Sequence, residues 1–92
     1  DLHGAEIQGS NFTESRFRGA ILSGAEAQGT NFSRADLAGA NLTGAELVGA
    51  NMNSADLSRA DLTGAELFGT TLANVDARNA DFSDAQMNAA NM

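Results

Sequence analysis

Cysteine is absent from the 92-residue sequence, which excludes disulfides, zinc–thiolate sites and thiol chemistry. Proline, tryptophan, tyrosine and lysine are absent as well, and there is a single histidine. No set of nucleophile, base and orienting group can be assembled from what remains. We expect His3 to be a solvated surface residue. The sequence therefore predicts a protein that is not an enzyme and that holds no cofactor and no metal.

Basic residues are also scarce, with five Lys and Arg against twelve Asp and Glu and a net charge of −7. Phosphate affinity depends on contacts from Lys and Arg, so direct binding to nucleic acid is disfavoured and a protein partner with a basic surface is favoured. No window approaches the roughly 18 consecutive apolar residues that cross a bilayer. We therefore expect no membrane insertion.

An apolar phase of five residues runs through the whole chain. Every fifth residue from Leu2 to Met92, here called position i, is apolar, and all but Ala27 and Ala77 of these nineteen are large. Position i−2 is Ala in thirteen of eighteen cases, and all ten glycines fall at i+2. A period of five matches neither helix nor strand. The pattern indicates a coil with i and i−2 inside and i−1, i+1 and i+2 outside.

Units such as Ala35-Asp36-Leu37 and Ala40-Asn41-Leu42 resemble the pentapeptide repeat family over the whole chain. The resemblance implies an all-β fold, a right-handed quadrilateral parallel β-helix with one pentapeptide on each side. Twenty residues per coil give about 4.6 coils and a rod of roughly 22 Å. Val75, large for i−2, and Ile21 and Arg16 at i−1 depart mildly from the pattern.

A second period of twenty defines the faces of the square by their i−1 residues. The Glu face carries Glu6, Glu26, Glu46 and Glu66; the Asn face carries Asn11, Asn31, Asn51, Thr71 and Asn91; the Asp face carries Arg16, Asp36, Asp56 and Asp76. The stacked Asn amides are expected to form hydrogen-bond ladders along the rod. Corners with and without glycine are expected to use different turn types.

We expect residues 1–92 to form a single domain. Met87 and Met92 fall in the last coil without a polar cap, and repeat arrays need capped ends for solubility. The chain is therefore expected to be a segment of a longer protein, or to stack end to end or against a larger assembly.

The Glu face is the candidate protein-binding surface. Its like charges, about 4.8 Å apart, repel one another, and position i+1 beside them carries Val48 and Phe68. Apolar side chains flanked by an acidic strip are typical of a docking surface. The candidate residues are Glu6, Glu26, Glu46, Glu66, Val48 and Phe68, and the alternative acidic face is Asp36, Asp56 and Asp76.

Two functions remain open. The first is a structural or interaction module that presents rigid acidic faces to a protein partner. The second, implied by the family resemblance, is a DNA mimic that protects or inhibits DNA gyrase, since two opposite acidic faces would approach the charge density of a duplex. The resemblance also implies a photosynthetic organism, with a place in the cytoplasm or the thylakoid lumen.

Overall fold

Parallel β-bridges join residues that lie twenty positions apart in the computed structural model, which describes residues 1–91. The bridges run from Glu6 with Glu26 to Thr71 with Asn91, always between two i−1 positions. Each bridge is isolated, so residues 1–91 form neither a helix nor a strand longer than one bridged residue. The chain winds as the predicted right-handed quadrilateral parallel β-helix. Met92, the last predicted interior residue, lies outside the described residues.

No segment between residues 1 and 91 is a helix of the length and apolarity that crossing a membrane requires.

Each pentapeptide uses its backbone donors in the same way, as Ala40–Gly44 illustrates. The Ala40 N–H closes the preceding corner on the Leu37 carbonyl at 3.0 Å, and the Asn41 N–H reaches back to Ala20 at 2.9 Å. The N–H groups at i (Leu42) and i+2 (Gly44) donate to carbonyls of the next coil, those of Asp61 at 2.7 Å and Thr63 at 2.9 Å. Four of the five N–H groups are thus bound by backbone carbonyls, three of them in neighbouring coils.

The corners share one geometry, and the prediction of two turn types is wrong. Ten glycines and eight other residues occupy i+2, and all eighteen have φ between 57° and 68°. Each corner is closed by the same bond from the i+3 N–H to the i carbonyl, with positive φ at i+2 as in a type II turn. The inter-coil bonds impose this conformation on Glu14 and Arg34 as they do on glycine.

The interior is built from positions i and i−2, as predicted. Large side chains with almost no exposed surface fill the central coils: Leu22, Phe32, Leu37, Leu42, Leu47, Met52, Leu57, Leu62, Leu67 and Leu72. The rings of Phe12 and Phe32 stack with centroids 5.6 Å apart. The buried hydroxyls of Thr30 and Thr70, at i−2, donate to the carbonyls of Ile7 and Leu47. The block measures 25 × 22 × 21 Å, close to the expected length.

The corner geometry can be tested without disturbing packing, because a Cβ built on Gly44 meets nothing within 4 Å. We expect Gly44→Ala to lower the free energy of unfolding by about 1 kcal/mol, the usual cost of a left-handed backbone for a residue with a Cβ. Ser54→Gly, at a corner with φ 61°, should raise it. Urea unfolding of both variants measures the two effects, and equal stability in all three proteins would contradict the strained-corner explanation.

Candidate functional site

The fifth backbone donor of each pentapeptide, the N–H of i+1, has no backbone acceptor within residues 1–91. Whether it is hydrogen-bonded depends chiefly on the side chain at i−1. Wherever i−1 is Asp or Asn and an i+1 residue follows, its Oδ1 accepts this N–H at 2.9–3.2 Å, in ten cases out of ten. This is the Asx-turn geometry that only short polar side chains reach. We call it the Asx bond.

The predicted amide ladder on the Asn face is wrong. The Oδ1 atoms of Asn11, Asn31 and Asn51 accept N–H groups of their own pentapeptides, and no hydrogen bond joins one of these amides to the next within residues 1–91. Among residues 1–91, the bond along this column runs instead from the Thr71 hydroxyl to Asn51 Oδ1, at 3.2 Å. The Asn and Asp columns therefore serve the folding of their own pentapeptides.

The Glu face lacks the Asx bond. A Glu side chain is one methylene longer, and none of the four on this face accepts an i+1 N–H within the described part of the chain. The N–H groups of Gln8, Gln28, Val48 and Phe68 are left without a protein acceptor there. Where an Asx bond forms, the N–H of i+1 points to an outward side chain. The Glu-face donors are therefore directed toward solvent, as are those of Arg18 and Ser23, which follow Arg16 and Ile21. The face presents carboxylates and unused backbone donors together.

Two of the four carboxylates receive an amide from the preceding coil. Gln8 Nε2 donates to Glu26 Oε2 at 2.8 Å, and Gln28 Nε2 donates to Glu46 Oε2. At the equivalent position before Glu66 stands Val48, which cannot donate. None of the ion pairs among residues 1–91 involves this face. Glu6 and Glu66 are both exposed and receive no such amide from residues 1–91, and Glu66 is the one that lies beside Val48 and Phe68.

The apolar side chains beside the Glu column differ in exposure. Phe68 is 56% exposed, the most of any large apolar residue among those described. Val48, expected to be exposed, is half-buried. Both lie next to the column of glycine corners that borders the Asn face, where Gly49 and Gly69 leave the backbone open. Glu66, Phe68 and the edge of Val48 thus form one continuous patch.

The Asp face is not uniformly acidic. Arg18 Nε lies 3.0 Å from Asp36 Oδ2, and Arg18 Nη2 lies 4.0 Å from Asp56 Oδ2. Arg78 donates to the Asp76 carboxylate from Nε at 2.9 Å and from Nη2 at 2.7 Å. The prediction of an acidic face rested on the carboxylates at i−1 alone. The side chains of Arg18 and Arg78, at i+1, lie on the same face. The alternative site of Asp36, Asp56 and Asp76 is therefore largely neutralised by its own arginines.

Hydrogen bonds stabilise the ionised carboxylates of the Asx bonds. The hydroxyl and backbone N–H of Ser58 lower the pKa of Asp56, with a smaller contribution from Arg18. The hydroxyl and backbone N–H of Ser83 lower the pKa of Asp81 in the same way. Arg78, chiefly through its side-chain hydrogen bond, lowers the pKa of Asp76.

Neither catalytic chemistry nor a metal site emerges from residues 1–91. The single His3 is exposed, with Nδ1 2.8 Å from the Ser23 hydroxyl, and no group of three or more potential metal ligands converges in the described part of the chain. The Glu face can offer charge, hydrogen-bond donors and one exposed ring, which are the elements of a binding surface.

Comparison with known families agrees with this geometry. The family model described as pentapeptide repeats matches residues 1–39, 30–67 and 65–92 in eight copies. The chain belongs to the pentapeptide repeat family. Members of this family are generally non-enzymatic structural or interaction modules. A search among curated proteins finds no match.

Solved structures of cyanobacterial pentapeptide repeat proteins are similar over most of the chain. Rfr23 from Cyanothece 51142 is 33% identical with a TM-score of 0.81, covering 99% of this chain and 58% of its own. The protein alr5209 from Nostoc PCC 7120 is 39% identical with a TM-score of 0.80, covering 82% and 62%. The chain thus spans about three fifths of the length of these relatives.

The role of the Asx bond predicts opposite effects for two exchanges of equal charge. Glu66→Asp should raise the free energy of unfolding by about 0.5–1 kcal/mol, since the shorter carboxylate can accept the Phe68 N–H. Asp61→Glu should lower it by a similar amount, because Asp61 now accepts the N–H and hydroxyl of Thr63. Chemical unfolding of both variants gives the comparison, and a stabilising Asp61→Glu would refute the assignment.

The lowered pKa values of Asp56 and Asp81 predict acid sensitivity. In the unfolded chain these carboxyls titrate near 3.9, above their folded values, so their contribution is present above that pH and is lost as pH falls through the folded values. Asn keeps the acceptor but does not titrate. The double variant Asp56→Asn with Asp81→Asn should therefore lose less stability than the wild type between about pH 5 and pH 2. Thermal melts across this range measure the difference, and identical acid slopes would contradict it.

Proposed function

We propose that this chain is a rigid, non-catalytic interaction module whose Glu face binds a protein partner with a basic surface and an apolar pocket. The observation that carries the proposal is the missing Asx bond. On the other faces an Asp or Asn at i−1 always binds the i+1 N–H, whereas Glu46 and Glu66 leave it unused and hold their carboxylates farther from the wall. Folding alone gives no advantage to this arrangement.

A basic partner supplies what the Glu face lacks. Its Lys or Arg side chains would pair with Glu66 and offset the repulsion along the column. Complementary charges of this kind chiefly speed the encounter of two proteins. Phe68 would supply the anchor, since partly exposed aromatic rings that enter a pocket dominate many interfaces. Backbone carbonyls of the partner could accept the free N–H groups of Val48 and Phe68.

The size of the block limits the kind of complex. The block exposes 4646 Å² of accessible surface over its four sides and two ends, so a single side offers no more than the roughly 800 Å² per partner of a standard stable interface. A partner bound here therefore also covers the glycine corners beside Gly49 and Gly69, or the complex is transient. The open corner backbone favours close approach on that side. As the similar structures are cyanobacterial, we propose the cytoplasm or the thylakoid lumen as the location.

The charge distribution of the block does not favour DNA mimicry with binding to gyrase. That hypothesis requires two opposite acidic faces, and the Asp face carries Arg18 and Arg78 in ion pairs with its carboxylates. The Glu column alone, at about 4.8 Å per charge, is well below the density of a duplex, about 1.7 Å per charge. The interaction module is the function that the surface supports better.

Binding to a partner isolated from an extract of the source organism tests the proposal. Phe68→Ala should speed dissociation at least tenfold through loss of the anchor, with little effect on association. Glu46→Lys with Glu66→Lys should slow association and reverse its dependence on salt. Glu66→Asp, which keeps the charge but retracts the carboxylate, should weaken binding while stabilising the fold. Biolayer interferometry at several salt concentrations separates these rates.

The chain offers matched controls for each change. Ile21, 43% exposed on another face, controls for Phe68 as Ile21→Ala. Glu14 lies at the corner between the Asn face and the Asp face, away from the Glu face, so Glu14→Lys controls for the charge reversals. A partner that tolerates the Glu-face variants but is lost with these controls would place the binding surface elsewhere.

A further inference from the structure

All five cations of this acidic chain gather on one side. Arg16, Arg18 and Arg78 lie on the Asp face, and Arg34 and Arg59 occupy the two corners that border it. This is the side opposite the Glu face. Arg18 and Arg78 pair with the Asp carboxylates, and Arg34 Nη2 lies 3.1 Å from Glu14 Oε1.

Arg59 has neither an ion-pair partner within residues 1–91 nor a local reason to be arginine. It occupies an i+2 corner with φ 59°, a backbone conformation in which a Cβ is disfavoured and at which ten of the chain's eighteen corners carry glycine. Its side chain stabilises neither a carboxylate nor the turn. Arg59 therefore presents an exposed guanidinium that no carboxylate within residues 1–91 engages.

A notch of about 260 Å³ lies between Arg59 and Arg18, two coils or about 10 Å apart along the rod. Its floor is formed by Gly19, Ala38, Gly39 and Ser58. The absence of large side chains at these four positions creates the depression. Arg59 also borders a second, smaller hollow with Ser58, Arg78 and Asn79, so its guanidinium can turn to either side.

The backbone donors of the floor are already used. The N–H groups of Gly19 and Gly39 bind carbonyls of the next coil, and those of Ala38 and Ser58 bind Asp36 and Asp56. The Ser58 hydroxyl also donates to Asp56. A ligand in the notch would therefore meet an apolar floor, the free guanidinium of Arg59 on one side and, on the other, the guanidinium of Arg18, whose Nε is already paired with Asp36.

We propose that this notch binds an acidic, partly apolar segment of a second protein. A carboxylate of the segment pairs with Arg59, and its aliphatic stem or an apolar neighbour covers Ala38 and Gly39. Arg18 closes the other side with the donors that Asp36 and Asp56 leave free. A guanidinium matches a carboxylate through two parallel hydrogen bonds. Phosphate sites usually draw on free backbone N–H groups, and this floor has none to offer.

The inference is independent of the proposal for the Glu face. If both hold, the block joins two partners of opposite charge on opposite sides. Either surface can fail its test without affecting the other.

The probe is a short synthetic peptide that alternates Glu and Leu, titrated into the ¹⁵N-labelled chain and followed by NMR. The Nε–H signals of Arg59 and Arg18 and the amides of Gly19 and Gly39 should shift together. Arg59→Gly, which the corner accommodates, should weaken the affinity about tenfold or more through loss of a charge-assisted pair. Arg34→Gly removes the same charge from a corner with φ 57° and should leave the affinity within about twofold.

Four outcomes would overturn the proposal. One is an equal loss of affinity in both variants, which would indicate a general charge effect. Another is equal binding of a matched Gln and Leu peptide, which would remove the role of the carboxylate. The third is equal binding of inorganic phosphate at the same ionic strength. An absence of any shift at Gly39 on addition of the Glu and Leu peptide would overturn it as well.

Discussion

The bond that closes each corner, from the i+3 N–H to the carbonyl of i, is the constraint on which the rest of the structure depends. It places a turn with positive φ every fifth residue and so folds the chain into a square. Squares that stack in parallel then bind three further N–H groups of each pentapeptide to the coils above and below. One donor, at i+1, is left over. The side chain at i−1 either binds that donor or leaves it to the surroundings, and this choice distinguishes the faces.

Acidic residues in this chain therefore have two different roles. The Asp side chains at i−1, like the Asn side chains, are short enough to complete their own pentapeptides, and several also hold arginines. Their charge is a by-product of a backbone requirement. The Glu side chains complete nothing within their own pentapeptide, and Glu66 in particular meets no donor from the coil before it. Net charge alone, although strongly negative, does not show which carboxylates are available for binding.

The periods of five and twenty were sufficient to predict the coil, the inward residues such as Phe32 and Leu47, and the assignment of each residue to a face. They could not predict the corner conformation at Arg34, because that is imposed by bonds between coils. The Asn ladder was wrong for a similar reason, since Asn31 Oδ1 has a nearer donor in its own backbone. The restriction of Glu at position i−1 to one face was visible in the sequence, but its meaning required the hydrogen bonds. The period of twenty also places Arg18, Arg59 and Arg78 on one side of the block, because it assigns the i+1 and i+2 positions to faces and corners as well as i−1.

The stacking of residues twenty positions apart also restricts how such a chain can change in length. An insertion or deletion of twenty residues adds or removes a whole coil and keeps every column aligned. A change of five preserves the inward and outward pattern, so the chain still folds, but it turns everything downstream by a quarter of the square. An insertion of five between Val48 and Glu66 would place Phe68 and Glu66 over the Asn face, and a deletion of five would place them over the face opposite to it, in both cases away from Val48 and Glu46. Folding therefore tolerates insertions and deletions in steps of five. A surface that spans several coils is preserved only when the change is a multiple of twenty.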